Sequence, residues 1–134
     1  MPNPPAVLDG PDAIRDHVEL TVPRSECAQR GVRLVLCDPT DTVRLHCHVN
    51  ELPAEVTVEE CAQALAPFAS AMQHMGGGGG LVVVVTRPGT AAITDFDRGW
   101  FHAAVRVCHE YDARLLGVRV LTPRDHREVV LDDT

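Results

Sequence analysis

The spacing of apolar residues along the chain predicts strands and helices that alternate. Residues 32–37 are apolar apart from Arg33, and residues 81–85 are apolar throughout, which is typical of strands covered on both faces. Residues 42–49 alternate between polar and apolar instead and follow the turn-forming sequence DPTD, so a hairpin is predicted. On its second strand, one face is expected to hold Val43, Leu45, Cys47 and Val49, and the other Arg44, His46, His48 and Asn50.

Apolar residues at intervals of three and four predict two amphipathic helices. The first begins at Thr57, where Glu60 completes a capping box, and Pro67 is expected to kink it. The second begins at Thr94, with Asp97 at its third position. Its inward stripe is expected to consist of Trp100, Phe101, Ala104, Val105, Cys108 and Tyr111.

Weaker patterns complete the domain. Residues 12–20 and 24–30 are predicted to form short helical pieces, and residues 115–122 and 127–131 to form strands. The five glycines at 76–80 are interpreted as a flexible connector, because a phosphate-binding loop would follow a strand and precede a helix. The fold class is therefore α/β (α+β), with a mixed central β-sheet of about five strands flanked by helices.

Proline content and length set the domain boundaries. Residues 1–10 contain three of the ten prolines and are expected to be a flexible lead-in. Residues 11–134 are then one α/β domain, which is the usual number for a chain of 134 residues.

Charge and cysteine content exclude several classes of function. All twelve basic residues are Arg, and nineteen acidic residues leave a net charge of -7, which disfavours nucleic acid and anionic membranes as partners. The missing Lys is typical of a GC-rich bacterial genome. Five Cys without a C-x-x-C motif, together with the absence of a signal sequence, predict a cytoplasmic protein with reduced thiols. No cofactor is expected.

The turn after residues 81–85 is a candidate ligand site. It follows a predicted central strand and precedes a helix, which is where open α/β sheets usually bind ligands. Arg87 could offer a fork to a small anion there, with Gly89, Thr94 and Asp97 around it. The alternative is a tight connection in which Arg87 is merely exposed.

A second candidate site lies on the predicted hairpin. His46 and His48 share one face of a strand, which is a geometry that metal sites use. Glu51 is the nearest carboxylate that could join them, and further candidates are Glu55, Asp97, His102 and His109. The alternative is the solvated face of an edge strand. The cysteines at predicted inward positions, including Cys47, are interpreted as small apolar residues rather than nucleophiles.

The segment 81–120 resembles the core of JAB/MPN domains, and most of all their RadC-like branch. The matching features are the apolar strand, Pro88 and Gly89, Thr94 and Asp97, and the strand that begins LLGV. In that family two histidines and the Asp bind zinc, and a Glu from an earlier segment is the acid–base. The histidine positions are Val85 and Arg87 in this chain, so the resemblance implies a fold without the zinc chemistry.

The resemblance also implies an architecture and a class of function. It implies three layers, of the JAB/MPN or cytidine-deaminase type, and many metal-free members of this fold serve as scaffolds. The expected function is therefore a non-catalytic module that binds a protein partner or forms a homodimer. The alternatives are a small metal-dependent hydrolase using His46 and His48, and a small-anion sensor at Arg87.

Overall fold

The computed structural model describes residues 5–130 and places a helix or strand at each predicted segment. A short 3₁₀ helix at Arg24–Ala28 takes the place of the second helical piece. The five strands are β1 (Gly31–Cys37), β2 (Val43–Val49), β3 (Gly80–Thr86), β4 (Arg114–Leu121) and β5 (His126–Val129). The three α-helices are α1 (Pro11–Thr21), α2 (Val58–His74) and α3 (Asp95–Glu110).

The five strands form one mixed sheet in the order β2-β1-β3-β4-β5, which confirms the predicted fold class. β1 is antiparallel to both β2 and β3, and β5 is antiparallel to β4. Among the strands of the described residues, only β3 and β4 are parallel, and α3 makes the crossover that a parallel pair needs. This topology leaves β2 at one edge of the sheet and β5 at the other.

Helices cover both faces of the sheet, because the central strands are apolar on both. Val83 and Val85 of β3 contribute to the larger core, under α2 and α3, whereas Val82 and Val84 contribute to a second core under α1. All seven residues of β3 are buried, in keeping with its central position. No helix within residues 5–130 combines the length and apolar character needed to cross a bilayer.

Both predicted capping boxes are present. Thr57 accepts the N–H of Glu60 and Thr94 accepts that of Asp97, and each acidic side chain bonds back to the N-cap N–H. The inward stripe of α3 is rotated from the predicted one: Val105 is 46% exposed, and Val107 is buried instead. Val105 therefore lies on the exposed side of α3.

The hairpin differs from its predicted alternation because the register shifts. Leu36 pairs with Leu45, but Cys37 pairs with Val43, so one residue of β2 is skipped. Val43 consequently packs against the core under α1, whereas Cys47 packs against the core under α2 and α3. The prediction that Val43, Leu45, Cys47 and Val49 share one face is therefore wrong for Val43. Leu45 remains 53% exposed because an edge strand is covered incompletely.

The glycine run is more constrained than the flexible connector that was predicted. Gly76, Gly77 and Gly78 have positive φ angles and turn the chain from α2 into the sheet. Gly79 is buried, and a Cβ there would lie 2.7 Å from Met72 and 2.9 Å from the carbonyl of Cys37. The run therefore ends inside the packed structure.

The described part of the expected lead-in contacts the hairpin. Val43 donates its N–H to the carbonyl of Ala6, and Leu8 donates to the carbonyl of Asp41. Val7 forms an isolated antiparallel bridge with Thr42, and Leu8 is 2% exposed in the core under α1. Residues 6–8 thus pack with the domain, and residues 1–4 lie outside the described part of the chain.

Candidate functional site

Arg87 follows β3 directly and is buried. Its backbone N–H donates to the carbonyl of Leu121, which extends the pairing of β3 with β4 by one residue. The side chain then turns under the loop that leads to α3, and the residue is only 5% exposed. Gly89, with φ 95°, allows this loop to curl around the guanidinium group.

The guanidinium group of Arg87 uses all of its donors within the protein. Nε and one Nη2 hydrogen donate to the two carboxylate oxygens of Asp97, over 2.9 and 2.8 Å. The second Nη2 hydrogen donates to the carbonyl of Ala92 at 2.9 Å. Nη1 donates to the carbonyls of Pro88 and Thr90 at 3.1 and 2.7 Å. An arginine has five N–H groups, so none is left for a ligand.

Asp97 is equally engaged. Its carboxylate receives two bonds from Arg87 and one from the backbone N–H of Thr94, and the residue is fully buried. The four predicted ligand-binding residues, Arg87, Gly89, Thr94 and Asp97, therefore do come together. Arg87 and Asp97 form an ion pair that fixes the loop, however, and leave no N–H group of Arg87 free for an anion. The expectation of an anion-binding fork is therefore wrong, and so is the alternative of an exposed Arg87.

His46 lies on the face of β2 that α1 covers, and it bonds to His17 of that helix. The two Nε2 atoms are 2.8 Å apart. The Nδ1 atom of His46 lies 3.3 Å from Nη1 of Arg33, which can only donate. His46 must then carry its proton on Nε2 and donate it to His17, so a single pattern of protonation satisfies both contacts.

Glu26 of the 3₁₀ helix completes this polar group. It forms an ion pair with Arg33, and its carboxylate lies 3.7 Å from Nε2 of His48. Burial lowers the pKa of both His17 and His46. The guanidinium group of Arg33 also lowers the pKa of His46, because it disfavours a second positive charge nearby.

A metal site is not assembled around the hairpin histidines in the described part of the chain. No group of three or more His, Cys, Asp or Glu side chains within residues 5–130 has a suitable arrangement. Glu51 is exposed, and the charge of Arg33 lies beside His46. Asp97, His102 and His109 belong to α3, which covers the opposite face of the sheet.

The cysteines do not form a nucleophilic site. Cys27, Cys37, Cys61 and Cys108 are buried, and only Cys47 is partly exposed. Burial raises the pKa of Cys27, and it raises the pKa of each of the other three buried thiols to about 11. Because the thiolate is the reactive form, these four residues act as small apolar side chains.

An apolar cleft that the sequence did not indicate lies beside β2. A cleft of about 350 Å³ is lined mainly by apolar side chains, among them Leu36, Leu45, Met72 and Met75. Met75 is 87% exposed and Leu45 is 53% exposed. The available signal was the placement of the hairpin at an edge, which leaves the outward side of its apolar stripe uncovered.

The polar contacts of His17 with His46 and of Glu26 with Arg33 were also not predicted from the sequence. His17 and Glu26 stand on separate predicted helical pieces, and nothing local links them to the hairpin. Arg33, a charge within an otherwise apolar strand, was the available sign that this face of the sheet carries a polar group. The sequence as a whole matches no family model and no curated protein.

Proposed function

We propose that this chain is a non-catalytic, metal-free domain of the JAB/MPN type, close to the RadC-like branch, and that it acts as a protein-interaction module. The interaction surface consists of the outer edge of residues 44–50, which are β2 after Val43 and the residue that follows it, and the apolar cleft beside Leu45. We call it the β2 surface. A small hydrolase is less well supported, because His46 is bonded to His17 and lies beside Arg33. An anion sensor is less well supported, because Arg87 has no N–H group left for a ligand.

The main support for this proposal is the exposure of the β2 surface. Within residues 5–130, the outer edge of residues 44–50 makes no backbone hydrogen bond with another segment, whereas Val43 is bonded to Ala6. The cleft adds apolar area to this edge, through Leu45 and Met75. An unpaired edge next to exposed apolar side chains is a surface on which an added strand can bind.

The ion pair between Arg87 and Asp97 supports the non-catalytic part of the proposal. The JAB/MPN resemblance aligns these residues with a histidine and with the aspartate of the zinc site. The guanidinium group of Arg87 takes the place that a metal ion would have beside that aspartate, and all its N–H groups are used within the protein. The pair then stabilises a loop and carries out no reaction.

The interaction is tested with a charge placed on the β2 surface. If the chain self-associates, Leu45→Asp should abolish the association, as measured by sedimentation velocity. If the chain is monomeric, Leu45→Asp should abolish the retention of a specific partner on immobilised protein. Val105→Asp on α3 is the matched control, because Val105 is 46% exposed and lies away from the β2 surface. Equal behaviour of both variants and the wild type would contradict the proposal.

The metal-free part is tested by elemental analysis of untagged protein purified without chelator. We expect no stoichiometric zinc or iron, and no difference between the wild type and a His46→Ala, His48→Ala variant. One metal ion per chain, lost in that variant, would show that the hairpin histidines are a metal centre and would overturn this part of the proposal.

A further inference from the structure

We propose that the partner of the β2 surface is a second copy of this chain, paired antiparallel through β2 about a twofold axis at Cys47. This inference rests on the proposed function and specifies its partner and register. In the paired state, Cys47 lies opposite Cys47 of the second copy, and Leu45 lies opposite its Val49. The two sheets then join into one continuous sheet.

The free length of the edge fixes the centre of the pairing. Val43 is not available, because its N–H is bonded to the carbonyl of Ala6. Residues 44–49 of β2 remain, and a centre at Cys47 pairs residues 45–49 of the two copies with each other. A centre at His46 would instead place Val49 opposite Val43, where the N-terminal segment already lies. A register centred on Cys47 uses the free edge and leaves the contact with Ala6 intact.

The side chains are complementary in this register. Leu45 and Val49 are 53% and 36% exposed, and each would be covered by the other from the second copy. They share a face with Cys47, because paired residues of β1 and β2 lie on the same side and all three pair with residues of the larger core. Cross-strand apolar pairs of this kind stabilise antiparallel strands.

Charge favours the antiparallel direction. Arg44, which forms an ion pair with Asp38 and has a side chain that is 61% exposed, stands at one end of the free edge, and the exposed Glu51 follows the other end. In this register Arg44 lies opposite Asn50 of the second copy, one residue away from its Glu51, at both ends of the interface. Parallel pairing would place Arg44 beside Arg44 and Glu51 beside Glu51, which is unfavourable.

The thiol of Cys47 makes the register measurable. Directly opposite residues of antiparallel strands have Cα atoms roughly 4.5–5.5 Å apart, which lies within the range that a disulfide spans. Copper–phenanthroline with dissolved oxygen removes two electrons and two protons from such a pair of thiols. Cys47 is the partly exposed cysteine, and the other four are buried in the two cores.

The experiment combines light scattering of reduced protein with oxidative cross-linking. We expect a dimer, a disulfide between two Cys47 residues identified by mass spectrometry, and a dimer that persists in Cys47→Ser under reducing conditions. Leu45→Asp should give a monomer with an unchanged circular dichroism spectrum, and Val105→Asp should remain a dimer. Retention of the spectrum shows that the loss of association is not a loss of folding.

Two other outcomes overturn the inference and can be told apart from failure of the proposed function. A dimer that survives Leu45→Asp and gives no cross-link through Cys47 uses another surface, so both the register and the role of the β2 surface fail. A monomer at all concentrations excludes the second copy as partner. In that case the retention experiment with immobilised protein still decides whether the β2 surface binds a different protein.

Discussion

Arg87 and Asp97 face each other with two parallel hydrogen bonds, of 2.9 and 2.8 Å, at the corner where β3 ends and α3 begins. The arginine side chain is 6% exposed and the aspartate side chain is fully buried. The pair links the end of a central strand to the first turn of a helix. It also supplies donors for three carbonyls of the connecting loop, so the corner is held as one unit.

Removal of one partner of this pair should destabilise the protein strongly. Arg87→Met leaves a buried carboxylate without its cation, and such changes cost about 3–5 kcal/mol in the free energy of unfolding. Urea denaturation followed by circular dichroism measures the loss. Arg106→Met is the control, because the ion pair of Arg106 with Glu59 is exposed, and a much smaller change is expected.

A second substitution distinguishes the uncompensated charge from lost packing. Addition of Asp97→Asn to Arg87→Met removes the isolated charge and leaves an oxygen that can accept the N–H of Thr94. We expect the double variant to be no less stable than Arg87→Met alone. A further large loss, close to that of the first substitution, would mean that Asp97 stabilises the fold independently of Arg87.

Two glycine-to-alanine substitutions should have opposite effects. In Gly79→Ala the new Cβ would lie 2.9 Å from the carbonyl oxygen of Cys37, a backbone atom that cannot move freely. Overpacking of this kind costs typically ~1–3 kcal/mol. In Gly99→Ala on α3, the nearest atom is Sγ of Cys61, at an ordinary contact distance of 3.8 Å.

Gly99→Ala should therefore raise the free energy of unfolding, by about 0.5–1 kcal/mol, because alanine is the better helix former. Urea denaturation of both variants beside the wild type gives the comparison. If Gly79→Ala proved as stable as the wild type, the close approach of the glycine run to β1 would not be present in solution.

Stability should depend on pH through the contact between His17 and His46. Burial lowers both pKa values below their ordinary value of 6.5. The unfolded chain therefore takes up protons at a higher pH than the folded protein. The contribution of these residues is fully present above pH 6.5 and is lost as the pH falls through the lower pKa values of the folded state.

The pH dependence is measured as the urea midpoint from neutral to mildly acidic pH. His17→Gln is the informative variant, since its side-chain oxygen can accept the Nε2 proton of His46 but does not titrate. Its midpoint should fall less steeply with decreasing pH. His126 also has a pKa lowered by burial, so part of the dependence should remain. An unchanged slope would show that His17 does not contribute.

Thiol reactivity should single out Cys47. In the folded, reduced monomer at low concentration, a thiol reagent should modify one of the five cysteines quickly and the remaining four only after denaturation. The buried thiols are protected both by packing and by their raised pKa values. Cys47→Ser should remove the fast phase, and a second fast thiol in that variant would contradict the burial pattern.

The parts of the fold that depend on local sequence were predictable. β3 is a run of apolar residues, and such a run is explained by a strand covered on both faces. The capping boxes at Thr57 and Thr94 each involve residues only three positions apart, so the starts of α2 and α3 could be placed. The order of strands and helices along the chain followed from these local patterns.

The features that depend on distant contacts were not predictable. Arg87 is buried because the five residues after it curl back over its side chain, and composition alone suggests an exposed turn. The contact of His46 with His17 joins residues 29 positions apart. The skipped residue in β2 reverses the face of Val43, and an alternating pattern continues through such a shift without any visible break.

The position of α1 in the chain has a consequence during synthesis. Ile14 and Val18 of this helix are buried against Val82, Val84 and Leu121, which are translated about 65 to 105 residues later, at roughly 5–20 residues per second. For several seconds, therefore, α1 can pack only against the nearer members of this core, such as Val35 and Cys37 of β1. The core under α1 is complete only when Leu121, at the end of β4, has been added.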